Sequence, residues 1–313
     1  MQRRVRVAHG AILLALTFAG VGAQAQGSAG ACGLFSLKAA GAPQAAGSDA
    51  QAQFFTTAQR VALAQQLGVG WMRVNVSLNQ RPNLQEAEAA RRAGFKVLMH
   101  VTTRERGEAA PPVADLGDYQ RRLAALLDRF APDVLAVENE EVAANFVQGT
   151  PQQYLDELNA AAQVARPRGV KLTNGAITSR AMMDLLGQAS GRGDRAARNP
   201  RRAARDEKAA DLLAAYRTAP IDYVNLHWYQ RDPAQLERAV AWLQAHTGKP
   251  VISSEMGQYD QSAQWPADVV AQARRLGMAI VIWFNGDGNK AFALANADGS
   301  LRPAANALAA ACR

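Results

Sequence analysis

The chain is poor in the residues that build metal and redox centres. It has two cysteines and four histidines in 313 residues, and 6% aromatics. No His-x-x-x-His pair or cysteine cluster is present, which argues against a zinc site. The carboxylates do not sit in the oxygen-rich loops that calcium favours. No metal or cofactor is expected. Glycine is not gathered into a phosphate-cradling loop, and Gly33-Leu34-Phe35 is not the turn that opens a dinucleotide fold. Ser253-Ser254 lack the Gly-x-Ser-x-Gly elbow of serine hydrolases.

Long hydrophobic runs are also scarce. The one that stands out is Ala11 to Val21, preceded by Arg3, Arg4 and Arg6 and followed by Ala23-Gln24-Ala25. A positive start, a short apolar run and small residues at the cleavage positions read as a signal peptide over 1–25. The run is too short to span a bilayer comfortably. The mature chain, 26–313, is therefore expected to be secreted or periplasmic, without stable membrane insertion. Its 288 residues (313 minus 25) suffice for one large domain, expected to be monomeric.

Net charge is +8, or +5 once the three signal arginines are removed. Arg192 to Lys208 carries six arginines and one lysine against three acids. No aromatics interleave with these arginines and no nucleic-acid motif accompanies them, so a nucleic-acid partner is not expected. A solvated, partly disordered loop is one reading. An electrostatic guide for an acidic polysaccharide is the other. Cys32 and Cys312 stand near the two ends of the mature chain. In an exported protein an even count suggests a disulfide, and this one makes sense if the fold brings its ends together.

Short apolar runs alternate with segments of helical period. Eight strands are expected: 33–37, 71–76, 96–101, 134–138, 170–174, 223–227, 250–254 and 279–284. Thr150-Pro151-Gln152-Gln153 has the cap, first-turn proline and capping-box glutamine of a helix start. Gly94 and Gly248 follow helices as stop signals. Strand–helix alternation with non-alternating apolar strands implies a parallel sheet covered by helices. Eight units in one chain of this length predict a single-domain (β/α)8, or TIM, barrel.

In such barrels chemistry sits at the carboxyl ends of the strands. Those ends here carry Arg73, His100, Asn139 with Glu140, His227 with Tyr229, Glu255, and Trp283. Two glutamates flanking one opening suit glycoside hydrolysis with retention, which needs carboxyl groups about 5 Å apart. One must donate a proton to the leaving group while the other attacks the anomeric carbon. Glu138 is expected to share the inward direction of Glu140 if the strand continues that far.

Asn139-Glu140 after the fourth strand and Glu255 after the seventh resemble the signature of glycoside hydrolase clan A. Arg73, His227-Trp228-Tyr229 and Trp283 add to the resemblance. It implies Glu140 as acid/base and Glu255 as nucleophile, with Asn139 on the sugar 2-hydroxyl. It also implies that Tyr229 bonds the nucleophile, Arg73 lies beneath it, and Trp283 floors the reacting sugar's subsite. His100 and His227 are further expected substrate contacts. Glu141 stands where the clan usually has proline, so that carboxylate either alters the acid or points outward. The expected activity is hydrolysis of a β-linked oligo- or polysaccharide by double displacement. Two alternatives stay open: a weakly active or inactive barrel that binds glycan in exopolysaccharide handling, and a lyase or aldolase on the same fold.

Overall fold

The computed structural model describes residues 30–38, 55–105, 108–189, 200–287 and 291–313. The expected signal peptide and residues 192–199 of the basic segment lie outside these. Eight parallel strands form a nearly closed barrel: β1 (Cys32–Lys38), β2 (Trp71–Ser77), β3 (Lys96–Thr102), β4 (Val134–Val137), β5 (Lys171–Asn174), β6 (Val224–Trp228), β7 (Val251–Met256) and β8 (Val281–Asp287). They run in the order β5-β4-β3-β2-β1-β8-β7-β6. Isolated bridges Thr173–Tyr223 and Ile177–Leu226 approach closure between β5 and β6. This is the (β/α)8 barrel that the alternation predicts.

The helices α1 (Thr57–Leu67), α2 (Gln85–Arg92), α3 (Leu116–Arg129), α4 (Pro151–Ala165), α5 (Ser179–Ala189), α6 (Pro200–Tyr216), α7 (Pro233–Thr247), α8 (Gln264–Arg275) and α9 (Pro303–Cys312) surround it. Local chemistry sets their ends. Thr150 and Gln153 cap each other's backbone at the start of α4. Gly248 closes α7 at φ 68°, a left-handed position that glycine occupies without strain. Among the described residues no helix is long and apolar enough to cross a membrane.

A small apolar cluster fills the bottom of the barrel: Phe35, Trp71, Leu98, Val134, Ala136, Ile252, Ile280 and Ile282. The larger core lies between strands and helices. Cys32 at the start of β1 bonds Cys312 at the end of α9, a sequence separation of 280. In the chain-entropy account a loop of that size restricts the unfolded chain by roughly 5 kcal/mol.

Candidate active site

Side chains on a strand alternate faces, so every second residue of each strand points into the barrel. Following that period upward from the apolar floor leads directly to the site. Trp71 is succeeded by Arg73, Leu98 by His100, Tyr223 by Asn225 and His227, and Ile252 by Ser254. All five polar residues are buried. The barrel thus changes from hydrocarbon to a hydrogen-bonded polar layer within one strand-repeat.

Two local irregularities lift the glutamates above that layer. β4 ends at Val137, after which Glu138 (φ 60°) and Glu140 (φ 49°) adopt left-handed backbone. Such positions cost roughly 1–2 kcal/mol each for an L-residue, so the surroundings must hold them. Gly175 permits the turn: a β-carbon there would lie 2.7 Å from the Val137 carbonyl oxygen and 2.9 Å from the Glu138 carbonyl carbon. The Tyr154 hydroxyl donates to the Val137 carbonyl at 2.8 Å and accepts from the Gly175 amide at 2.9 Å. On β7, three residues span what two span on each neighbour. Ile252 and Glu255 pair with Asn225 and His227, while Ser253 and Met256 pair with Val281 and Trp283. A bulge of this kind re-aims a side chain, and here it brings Glu255 to the opening.

One carboxylate oxygen of Glu140, one of Glu255 and a ring nitrogen of His227 all lie within 4.8 Å of one another. Arg73 Nη1 donates to Glu255 Oε2 at 2.8 Å and to the Ser254 carbonyl at 3.2 Å, and its Nη2 donates to Asn139 Oδ1 at 2.8 Å. The guanidinium lies over the Phe35 ring at 3.9 Å. The Tyr229 hydroxyl donates to Glu255 Oε1 at 2.6 Å. Burial pushes the Glu255 carboxyl upward, but the charges of His227 and Arg73 and the Tyr229 and Arg73 hydrogen bonds outweigh it. The net pKa is below the ordinary carboxylate value. Burial and the adjacent Glu255 charge push the Tyr229 phenol well above its usual range, so it stays a donor.

Hydrogen-bond accounting locates a proton. His100 Nδ1 faces the Glu138 carbonyl at 3.0 Å, which can only accept. Burial, then Arg73 and His227, hold His100 well below its usual pKa, so the ring is neutral and its Nε2 accepts. The single hydroxyl hydrogen of Ser254 therefore points to His100 Nε2 at 3.0 Å. Ser254 Oγ, which also accepts from Asn225 Nδ2 at 2.7 Å, can then meet His227 Nε2 at 3.1 Å only as an acceptor. Arg73 Nη1 lies 3.2 Å from the same ring nitrogen, but its two hydrogens are already placed on Glu255 and Ser254. Nε2 thus carries the hydrogen, and Nδ1 faces Glu140 Oε1 at 2.9 Å, a contact that itself needs a hydrogen. One proton lies between Glu140 and His227.

Above the glutamates is a cavity of about 1160 Å³. Tyr229, Tyr259 and Phe292 form an aromatic wall, with ring centroids 5.5 Å apart for Tyr229–Tyr259 and 5.6 Å for Tyr259–Phe292. Tyr259 is 59% exposed, as a ring available to a ligand would be. Further lining comes from the segment after Glu140, the start of α5, and α6 from Arg201 to Asp211.

Several side chains lie elsewhere than the sequence pattern predicts. Trp283 is 1% exposed and belongs to the core between barrel and helices, with its indole N–H donated to Gln258. Alternation on β8 turns Ile282 and Phe284 inward and Trp283 outward, so Trp283 does not floor the cavity. His100 and Arg73 lie beneath it and hold the residues that line it. Glu138 turns away: its carboxylate accepts from Thr102 Oγ1 at 2.5 Å and from the Thr103 amide at 2.6 Å. Glu141 does not point outward; it is fully buried, accepting from Tyr216 (2.6 Å), Asn174 (2.8 Å) and the Ala176 amide (2.6 Å). The basic segment is not wholly a loop, because from Pro200 it is the start of α6. Glu140, His227, Tyr229 and Glu255 line the cavity together, and Asn139 is held beside them by Arg73. Tyr259 and Phe292 were not legible as site residues; the nearest signal was their position in loops following β7 and β8.

His227 and the two glutamates are also, among the described residues, a donor set spaced to take a metal ion. The Arg73 guanidinium already supplies a fixed positive charge to Glu255 there.

No known family profile and no well-characterised protein matches the sequence. Solved structures match in fold. An endoglucanase, Cel5A, from Pseudomonas stutzeri is 16% identical, with a TM-score of 0.59 over 91% of this chain and 94% of its own. An endo-β-1,3-glucanase of glycoside hydrolase family 128 from Amycolatopsis mediterranei, in complex with laminaripentaose, is 15% identical (TM-score 0.55; 90% and 99%). An oligosaccharide-binding protein of that family from Trichoderma gamsii is 13% identical (TM-score 0.54; 81% and 90%). At these identities the likeness is one of fold.

Proposed function

We propose that the protein is a retaining glycoside hydrolase acting on a β-linked glycan. The observation that carries this reading is the approach of a Glu140 and a Glu255 carboxylate oxygen to within 4.8 Å across one opening. Retaining enzymes set their carboxyl groups about 5–5.5 Å apart, whereas inverting ones leave room for a water at about 6.5–9.5 Å.

The roles follow from the surroundings. Glu255, ionised and oriented by Arg73 and Tyr229, attacks the anomeric carbon. The proton held between Glu140 and His227 passes to the glycosidic oxygen as the bond to the leaving group breaks, giving a glycosyl ester on Glu255. Glu140, now a carboxylate, takes a proton from water, whose oxygen attacks the anomeric carbon and releases Glu255. Asn139, its oxygen engaged by Arg73, has its amide nitrogen for the sugar 2-hydroxyl. Tyr259 and Phe292 offer rings against which a sugar face can stack. A solved neighbour in fold is an endo-β-1,3-glucanase in complex with laminaripentaose, which supports a β-linked glycan.

The oligosaccharide-binding neighbour favours a second reading, a barrel that binds glycan without cleaving it. The paired carboxylates and their protonation machinery support the first. The test is proton NMR of the first-formed product on a panel of β-linked polysaccharides. Release of the β-anomer supports retention; an α-anomer, or binding without release of reducing ends, overturns it.

A further inference from the structure

The lining of the cavity combines the aromatic group of Tyr229, Tyr259 and Phe292, of which Tyr229 is bonded to Glu255, with four cations, Arg180, Arg201, Arg205 and Lys208. Two acids of α6, Glu207 and Asp211, share that lining, and Arg205 is committed to Asp184 and Asp206. Arg180 and Lys208 differ from these. Among the described residues neither has a carboxylate within ion-pair distance.

The fold positions Lys208 and the backbone of Arg180, whose side chain is exposed. Arg180 follows Ser179, whose hydroxyl donates to the His227 carbonyl at 3.1 Å and accepts from the Tyr229 amide at 3.0 Å. The first turn of α5 is thereby fixed to the end of β6, beside the glutamate pair. Lys208 is half-buried and reaches from α6 to the segment after Glu140, donating to the Val147 carbonyl at 3.2 Å. An ammonium has three hydrogens to place; the Val147 carbonyl takes one, and the charge of buried Glu141 acts on the group only from beyond ion-pair distance. Partial burial outweighs the Glu141 charge and lowers its pKa. Hydroxyl groups of a neutral glycan would leave both cations without an anion in direct contact. A carboxylate would satisfy them with charge-assisted bonds, bidentate at the arginine.

We propose that the substrate is an anionic β-linked glycan, with a uronic-acid carboxylate bound by Arg180 and Lys208 on the Glu140 side of the scissile bond. This rests on the glycosidase reading above. The neutral aromatic wall then takes the sugars on the Glu255 side, where an added anion would oppose the nucleophile's own charge.

The test compares a β-linked glucan bearing glucuronic-acid units with the same polymer after reduction of its carboxyl groups to alcohols. Hydrolysis is read as reducing ends, and binding by calorimetry with Glu140→Gln, which does not consume the polymer. The wild type should favour the uronate polymer at least tenfold in kcat/KM and in affinity at low ionic strength, with the preference shrinking in 0.5 M salt as exposed charges are screened. The double variant Arg180→Gln, Lys208→Met should lower that ratio about tenfold, its thermal unfolding serving as the fold control. Equal or better use of the reduced polymer by the wild type overturns the proposal while leaving the glycosidase reading standing. Salt-dependent binding of the uronate polymer without cleavage does the reverse. Binding of neither polymer overturns the proposal.

Discussion

Tyr229 and Glu255 are joined by a 2.6 Å hydrogen bond across the ends of β6 and β7, with the phenol as donor. This bond is one of the interactions that hold the Glu255 carboxyl below its ordinary pKa, against burial that pushes it up. Glu255 therefore stays ionised to a lower pH than an ordinary carboxyl. Replacing Tyr229 by Phe removes a cause of the lowering, so Glu255 is protonated at a higher pH than in the wild type. The acid limb of the kcat/KM profile should move to higher pH. Turnover should fall about 10- to 100-fold, the loss of one charge-assisted bond of roughly 1.5–3 kcal/mol. An unmoved acid limb would contradict the assignment.

Glu141 is a second point of leverage, away from the chemistry. Its buried carboxylate receives hydrogens from Tyr216, Asn174 and the Ala176 amide, linking α6 and β5 to the turn that carries Glu140. Glu141→Ala would strand three buried donors. We expect a loss of about 3–5 kcal/mol in urea-induced unfolding, with activity lost in proportion to unfolding.

Glu157, on α4, gives the opposite sign. Burial, and then the charge of nearby Glu138, raise its carboxyl well above 4.5. The folded state consequently holds a proton that the unfolded state releases as pH rises. Stability is fully present below the unfolded pKa and is lost as pH rises through the raised folded value. Glu157→Gln keeps the shape without the titration. The variant should be more stable than the wild type at neutral and alkaline pH by about 1–3 kcal/mol, with the gap closing in acid. A constant difference from pH 4 to 8 would count against this picture.

The sequence made the barrel legible because each strand is an apolar run buried on both faces, set between helices with strong caps and stops. The same property hid which residues face inward. Trp283 and Phe284 are equally hydrophobic neighbours, and only the register of β8 decides that the phenylalanine turns into the barrel. The glutamate pair was legible from its place at the ends of two strands. Its supporting turns were not: the left-handed backbone at Glu138 and Glu140 depends on Gly175 and Tyr154 pressing from other elements. Glu138 would share the inward direction of Glu140 only if the strand continued to it, and the two-residue period fails because the strand ends at Val137. Glu141 looked like an intruder in a motif, and its partner Tyr216 lies 75 residues away on another helix.

The central claim, a covalent intermediate on Glu255, is tested most directly by trapping. A 2-deoxy-2-fluoro glycoside with a good leaving group, built on a sugar the protein hydrolyses, should accumulate as a glycosyl ester. Mass spectrometry of the digested protein should find the added sugar on the peptide containing Glu255. A label on another residue, or none while hydrolysis proceeds through a non-covalent route, would contradict the account.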